Sequence, residues 1–146
     1  MHRKNLKGWN ELKTNDSWSV FKIMGEFVDG FEKLGKIGPC VSIFGSARTH
    51  KDDKYYKLAT EIAEKIVELG FGIITGGGPG IMEAANKGAK KALGPSVGLN
   101  IDLPFEQSEN PYIDDDKSLD FDYFFVRKVM FMKYAQAFVV MPGGFG

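Results

Sequence analysis

Cysteine is almost missing from this chain of 146 residues. Cys40 stands alone, so neither an internal disulfide nor a cysteine-based metal site can form. Histidine is scarce as well: His2 and His50 are too few and too far apart for a zinc cluster, and Cys40 and His50 lack a spacing that supports nucleophilic catalysis. There is no excess of either charge, with 19 basic against 19 acidic side chains. That balance provides no broad positive field for nucleic acid, so any bound anion must be held by a local constellation. No apolar run approaches the roughly 18 to 20 residues of a membrane span, and the start MHRKNLKGWNELK lacks the apolar core of a signal peptide. The expectation is a reducing, cytoplasmic setting with no nucleic acid, membrane or metal as partner.

What is abundant is glycine, with 18 residues against a usual share of about 7%. The glycines gather as GGGPG at 76–80 and PGGFG at 142–146, each after an apolar, β-branched run. A strand running into a phosphate-binding turn has this arrangement. With 43% hydrophobic residues and 13% aromatics, the composition is that of one globular domain and excludes disorder.

Val20, Phe21, Met24, Phe27, Val28, Phe31 and Leu34 recur at helical spacing and predict an amphipathic helix, with Asp16 or Ser17 as N-cap. Buried strands are expected at 40–44, 71–75, 97–101 and 137–141, and helices at 53–69, 81–92 and 126–135. Between residues 102 and 122 lies a loop of about twenty residues rich in Pro, Asn, Asp and Ser, a length that in a compact domain points to function or disorder; residues 121–125 could be a short extended piece. Strands alternating with helices imply right-handed crossovers and a parallel sheet. The fold class is therefore α/β, an open, doubly wound, Rossmann-like parallel sheet. Residues 1–37 form an N-terminal segment carrying the amphipathic helix, and 38–146 a single nucleotide-binding α/β domain. The glycine turn at Gly146 should feed a covering helix and further strands, so a longer polypeptide is expected.

Ligands of open parallel sheets bind outside the carboxyl ends of the strands. Four segments lie there: GSAR at 45–48, GGGPG, the long loop, and PGGFG. Neither G-x-G-x-x-G nor G-x-x-x-x-G-K-[ST] occurs, which disfavours a dinucleotide or a Walker-type triphosphate and leaves a smaller phosphate-bearing ligand. Gly45, Ser46, Gly77, Gly78 and Gly80 are the candidates for cradling it with backbone N–H groups. A tight turn with close helix packing explains GGGPG equally well. Arg127 and Lys128 fall in the first turn of the expected helix at 126–135, where the dipole disfavours cations by roughly 0.3 to 1 kcal/mol. A nearby anion would resolve that conflict; side chains snorkelling at the rim would also do so. Glu83 suits the start of its helix, Glu106 is a loop carboxylate, and adjacent Asp114, Asp115 and Asp116 diverge too much for a metal and read as solvated.

The segments FGSAR (44–48), GGGPGIMEAAN (76–86), GLNIDLPFEQ (98–107), FFVRKVMF (124–131) and VVMPGGFG (139–146), in this order, resemble the LOG ("lonely guy") family of cytokinin riboside 5'-monophosphate phosphoribohydrolases. The resemblance covers about Trp18 to the last residue. It implies cleavage of the N-glycosidic bond of a nucleoside 5'-monophosphate, AMP or a cytokinin riboside monophosphate, to free base and ribose 5-phosphate, without cofactor or metal. It also implies a homodimer, because the family builds its site near a subunit interface. By the same resemblance Arg127 and Lys128 match a substrate-binding Arg-Lys pair, with Arg127 the catalytic candidate. Glu106 matches the glutamate of the substrate loop, and Gly143, Gly144 and Gly146 match the phosphate turn of P-G-G-x-G-T-x-x-E, whose threonine and glutamate would follow Gly146. Many such proteins are labelled lysine decarboxylases, but no lysine here stands in an identifiable pyridoxal phosphate context. The alternative of another class is a non-catalytic binding protein of the same fold, such as a molybdenum-cofactor carrier.

Overall fold

The computed structural model describes residues 3–102 and 108–143, with side chains from residue 15 onward. Its helices are α1 (Arg3–Leu34), α2 (Lys54–Glu68), α3 (Ile81–Lys91) and α4 (Phe124–Tyr134). Its strands are β1 (Cys40–Phe44), β2 (Gly72–Thr75), β3 (Ser96–Ile101), β4 (Ser118–Phe121) and β5 (Ala135–Val140). All strand pairs are parallel, in the order β4-β3-β2-β1-β5. Helices cover both faces. Leu34 of α1 and Val126, Met130 and Phe131 of α4 close one core over Cys40, Ile74, Val97 and Leu99. Tyr56, Ala59 and Ala63 of α2 and Ile81, Ala84, Ala85 and Ala89 of α3 close the other over Ile43 and Ile73. Alternation along the strands sends successive side chains to opposite layers, which is why these short runs are apolar throughout.

Local chemistry sets the element ends. Asp53 caps α2 by accepting the Tyr55 N–H at 2.8 Å, and Gly70 after it takes the left-handed conformation with φ +96°. Two expectations need correction. α1 begins at Arg3, so Asp16 and Ser17 lie inside the helix rather than at its start; the preceding Lys, Leu and Glu residues are good helix formers and no proline interrupts them. The loop after β3 is shorter than expected, because it contains a 3-10 turn at Asp115–Lys117 and then β4, which pairs with β3 from Gly98↔Ser118 to Ile101↔Phe121. The sheet therefore has five strands where the apolar runs marked four. Only Leu119 and Phe121 of β4 are buried, and Asp120 between them faces solvent, so the strand has no continuous apolar signal.

α1 crosses α4 closely at Gly30, where a Cβ would stand 2.5 Å from the Met130 methyl. The rest of both helices is less covered. Trp18, Phe21, Met24 and Val28 of α1 and Phe124, Phe125 and Met132 of α4 are exposed, as are Phe138 and Val140 of β5.

Candidate functional site

Strands β2, β3 and β4 extend from one side of β1 and β5 lies on its other side, so the chain reverses its direction of sheet growth between β1 and β5. Crevices at the carboxyl ends of the strands beside such a reversal are where open α/β sheets bind ligands. The turns gathered there are tied together by backbone. Met141 N–H donates to Phe44 at 2.7 Å and Ser46 N–H to Pro142 at 3.2 Å, while Ile81 N–H at the start of α3 donates to Ser46 at 3.0 Å. Contacts between the turns leave no room for side chains: a Cβ on Gly143 would stand 2.8 Å from the Ser46 nitrogen, and one on Gly80, whose φ is +70°, would collide with the Ser46 carbonyl. Gly45, Ser46, Gly80 and Gly143 thus share one place, with Gly77 and Gly78 in the adjoining loop. Glu106, Gly144 and Gly146 lie outside the described residues.

The loop at 76–80 is held by buried polar groups. Gly77 N–H donates to Thr75 Oγ1 at 3.0 Å, Gly77 carbonyl accepts the Asn110 N–H at 2.9 Å, and Gly78 carbonyl accepts Asn110 Nδ2 at 3.0 Å. Behind them Asn86 of α3 accepts from the Thr75 hydroxyl and from Asn110 Nδ2, and donates to Ser96 Oγ and the Val97 carbonyl. Thr75, Asn86 and Ser96 have no solvent exposure. Among the described residues the Gly78 and Gly80 N–H groups meet no acceptor. These two donors, at the positive end of the α3 dipole, are what the turn can offer an anion. Beside them a shallow cleft is lined by Gly76, Gly77, Gly78, Asn100 and Ile101. Asn100 reaches it from β3 with its amide held on Ser118 Oγ at 3.0 Å.

Arg127 is a brace in this arrangement. Its Nε donates to the Leu99 carbonyl at 2.7 Å and its Nη2 to the Gly76 carbonyl at 3.2 Å, and the guanidinium lies over the Phe131 ring at 5.2 Å. Burial pulls its pKa below the ordinary value. Among the described residues Nη1 meets no acceptor, so one face of the fork is left for a ligand. Arg127 is the fourth residue of α4, which begins two residues earlier than the apolar pattern indicated, and the neighbouring Lys128 is exposed. The structure therefore brings Arg127 to the glycine loop through Gly76.

The remaining candidates separate. Glu83, in the first turn of α3, pairs with Lys51 at 3.5 Å. It also faces Tyr56, whose hydroxyl is pushed up to about 12 by burial first and by Glu83 next. Asp114 corrects the reading of its run as solvated: it accepts the Ser96 N–H at 3.1 Å and pairs with Lys90 at 3.2 Å, tying the loop to the start of β3. Among the described residues no three acidic, histidine or cysteine side chains are grouped to hold a metal. Cys40 is buried, its thiol pushed up to about 11 by burial. No helix among the described residues is long and apolar enough to cross a membrane. Asn86, Asn100 and Asn110 are the site residues the sequence did not reveal. Asn86 carried one signal, a polar residue on the same helical face as Ala85 and Ala89.

Residues 39–146 match the SLOG cluster4 family. An uncharacterized protein of Archaeoglobus fulgidus is 32% identical over 96 residues, covering 65% of this chain and 60% of its own. The molybdenum cofactor carrier protein of Chlamydomonas reinhardtii superposes with a TM-score of 0.59 at 25% identity, over 74% of this chain and 65% of that one. The molybdenum cofactor binding protein of Rippkaea orientalis gives 0.54 at 23%, over 73% and 62%. The chain thus spans about 60% of the length of the curated relative it matches.

Proposed function

The chain belongs to the SLOG cluster4 family, and from that premise we propose that it binds a nucleoside 5'-monophosphate at the glycine turns and hydrolyses its N-glycosidic bond. The observation that carries this reading is the pair of Gly78 and Gly80 N–H groups that, among the described residues, meet no acceptor at the start of α3, beside a guanidinium whose Nη1 likewise meets none there. That arrangement suits a phosphate monoester. Hydrolysis would break the bond from C1' of the ribose to the base, with water giving its hydroxyl to C1' and a proton going to the departing base. Oxocarbenium character at C1' calls for a carboxylate nearby; in this reading Arg127 is the catalytic candidate and Glu106 a substrate-binding residue. Lys128, Gly143, Gly144 and Gly146 complete the proposed contacts with substrate.

A second reading is favoured by the likeness to the two molybdenum cofactor proteins: a carrier that holds a phosphate-bearing ligand in the same turns without cleaving it. The two readings separate in one assay. AMP is incubated with the full chain and free adenine is measured by chromatography, while calorimetry compares AMP with adenosine. Release of adenine supports the hydrolase. Tight AMP binding without release supports the carrier, and equal affinity for AMP and adenosine removes both. The homodimer and a cytoplasmic location belong to the same proposal, with the exposed apolar residues of α1 and α4 as the surface a second copy would cover. Sedimentation velocity tests the dimer.

A further inference from the structure

We propose that Asn110 is a positioning residue: by fixing the two carbonyls of Gly77 and Gly78, it turns the Gly78 N–H toward an incoming phosphate. This rests on the reading of the glycine loop as a phosphate seat. A trans peptide unit points its carbonyl and its N–H in opposite directions. The Gly77 carbonyl accepts the Asn110 N–H at 2.9 Å, so the N–H of Gly78, in the same peptide plane, faces away from Asn110. The plane before it obeys the same rule, with the Gly76 carbonyl on Arg127 and the Gly77 N–H on Thr75.

The polarity of this network is forced by backbone groups that cannot exchange roles. The Val97 carbonyl only accepts, which fixes Asn86 with Nδ2 toward β3 and Oδ1 toward Thr75 and Asn110. The Thr75 hydroxyl must then give its one proton to Asn86, leaving a lone pair for the Gly77 N–H. At the other end the Tyr112 N–H only donates, at 3.0 Å, which fixes Asn110 Oδ1 there and aims Nδ2 at the Gly78 carbonyl and Asn86 Oδ1. Asn110 is 6% exposed, so water cannot easily replace it. The amide acts on the donor through the main chain of Asn110: its bonds to Gly78, Asn86 and Tyr112 hold the Asn110 N–H against the Gly77 carbonyl. Without them that N–H shifts and the flexible Gly77–Gly78 peptide can rotate, withdrawing the Gly78 donor from the ligand.

The test uses the full chain and its Asn110→Ala variant, with Asp114→Asn as a control that loosens the same loop at β3 without touching the turn. Calorimetry gives the ratio of AMP to adenosine affinity, thermal melting reports folding, and amide NMR follows Gly78 and Gly80 as inorganic phosphate is added. Asn110→Ala is expected to lower AMP affinity by roughly tenfold or more with adenosine unchanged and to abolish the phosphate response of Gly78, while Asp114→Asn lowers only the melting temperature. If the alanine variant does not fold, Asn110→Ser, whose hydroxyl is too short to reach the Gly78 carbonyl, is held to the same outcome. A folded variant that keeps the ratio overturns the inference alone. A wild-type chain that binds AMP and adenosine equally overturns the phosphate seat together with it.

Discussion

Glu26 of α1 caps the start of α4: its Oε2 accepts the Asp122 N–H at 2.8 Å, and its Oε1 the Tyr123 N–H at 3.4 Å. Tyr123, the N-cap of α4, supplies no side-chain bond of its own. A carboxylate from another helix thus occupies the positive end of the α4 dipole. The unfavourable position of Arg127 and Lys128 therefore has one answer within the protein, since Glu26 sets an anion at the same helix start.

Glu26→Ala should cost about 1 to 2 kcal/mol of stability, the usual loss for a helix N-cap. Urea denaturation of the full chain measures it, and Glu26→Gln, which keeps the acceptors without the charge, should lose less. An unchanged midpoint for Glu26→Ala would mean that water caps α4 equally well.

Gly77 and Gly38 form a matched pair. Both have positive φ, +79° and +76°, but a Cβ on Gly77 would collide with Asn100 Oδ1 whereas Gly38 has open space around it. Gly38→Ala should show only the conformational cost of about 1 to 2 kcal/mol. Gly77→Ala should cost more and abolish the difference between AMP and adenosine in calorimetry. Equal costs and retained phosphate selectivity would show that the loop tolerates a side chain at the cleft.

Arg127→Lys tests the brace. A lysine cannot hold the Leu99 and Gly76 carbonyls at once or lie flat over Phe131, so stability should fall by about 1 to 3 kcal/mol. AMP affinity should fall roughly tenfold or more in parallel. A loss of AMP affinity at unchanged stability would make Arg127 a ligand-binding residue without a bracing role.

Alkaline pH should weaken the fold through Cys40. The thiol is neutral in both states below its ordinary value of 9.0, but between there and about 11 the unfolded chain loses the proton that the folded chain keeps. Stability present below pH 9.0 is then lost as pH rises, by roughly 1.4 kcal/mol per pH unit. Tyr56 adds a second such loss between 10.0 and about 12. Denaturant titrations at about pH 8 and about pH 10 should differ accordingly, and Cys40→Ala should flatten the first part of the slope. A slope unaffected by Cys40→Ala would assign it to other groups.

Periodicity and glycine punctuation located β1, β2, β3, β5 and helices α2 to α4 to within about three residues, because each is an apolar run or stripe and most, though not β3 or α4, are closed by a nearby glycine or proline. β4 was hidden, since an edge strand reading Ser-Leu-Asp-Phe buries only alternate residues. The first part of α1 was less legible because Asn5, Gly8, Asn10 and Thr14, all weak helix formers, stand among its Lys, Leu and Glu residues. At the site, the glycines and Arg127 were legible because their backbone freedom and charge are unusual in such places. The asparagines were not. Asn86 and Asn110 are 24 positions apart, and an ordinary amide gives no hint of its partner until the fold brings the two within 3.1 Å.

The order of the strands bears on how the chain is made. β1 meets β2 early, Val41 beside Ile73, but its other neighbour is β5, where Val41 lies beside Ala137. At ribosomal rates of about 5 to 20 residues per second, the interval between the emergence of residues 41 and 137 is roughly 5 to 20 s. Throughout it the nascent sheet presents β1 with one backbone edge unpaired, a template for strands of other chains. α4, which covers the layer holding Cys40 and Ile74, emerges just before β5. The edge and the face beside it therefore close almost together, only once β5 has emerged, and crowded expression should yield misassembled chains before it yields misfolded finished ones.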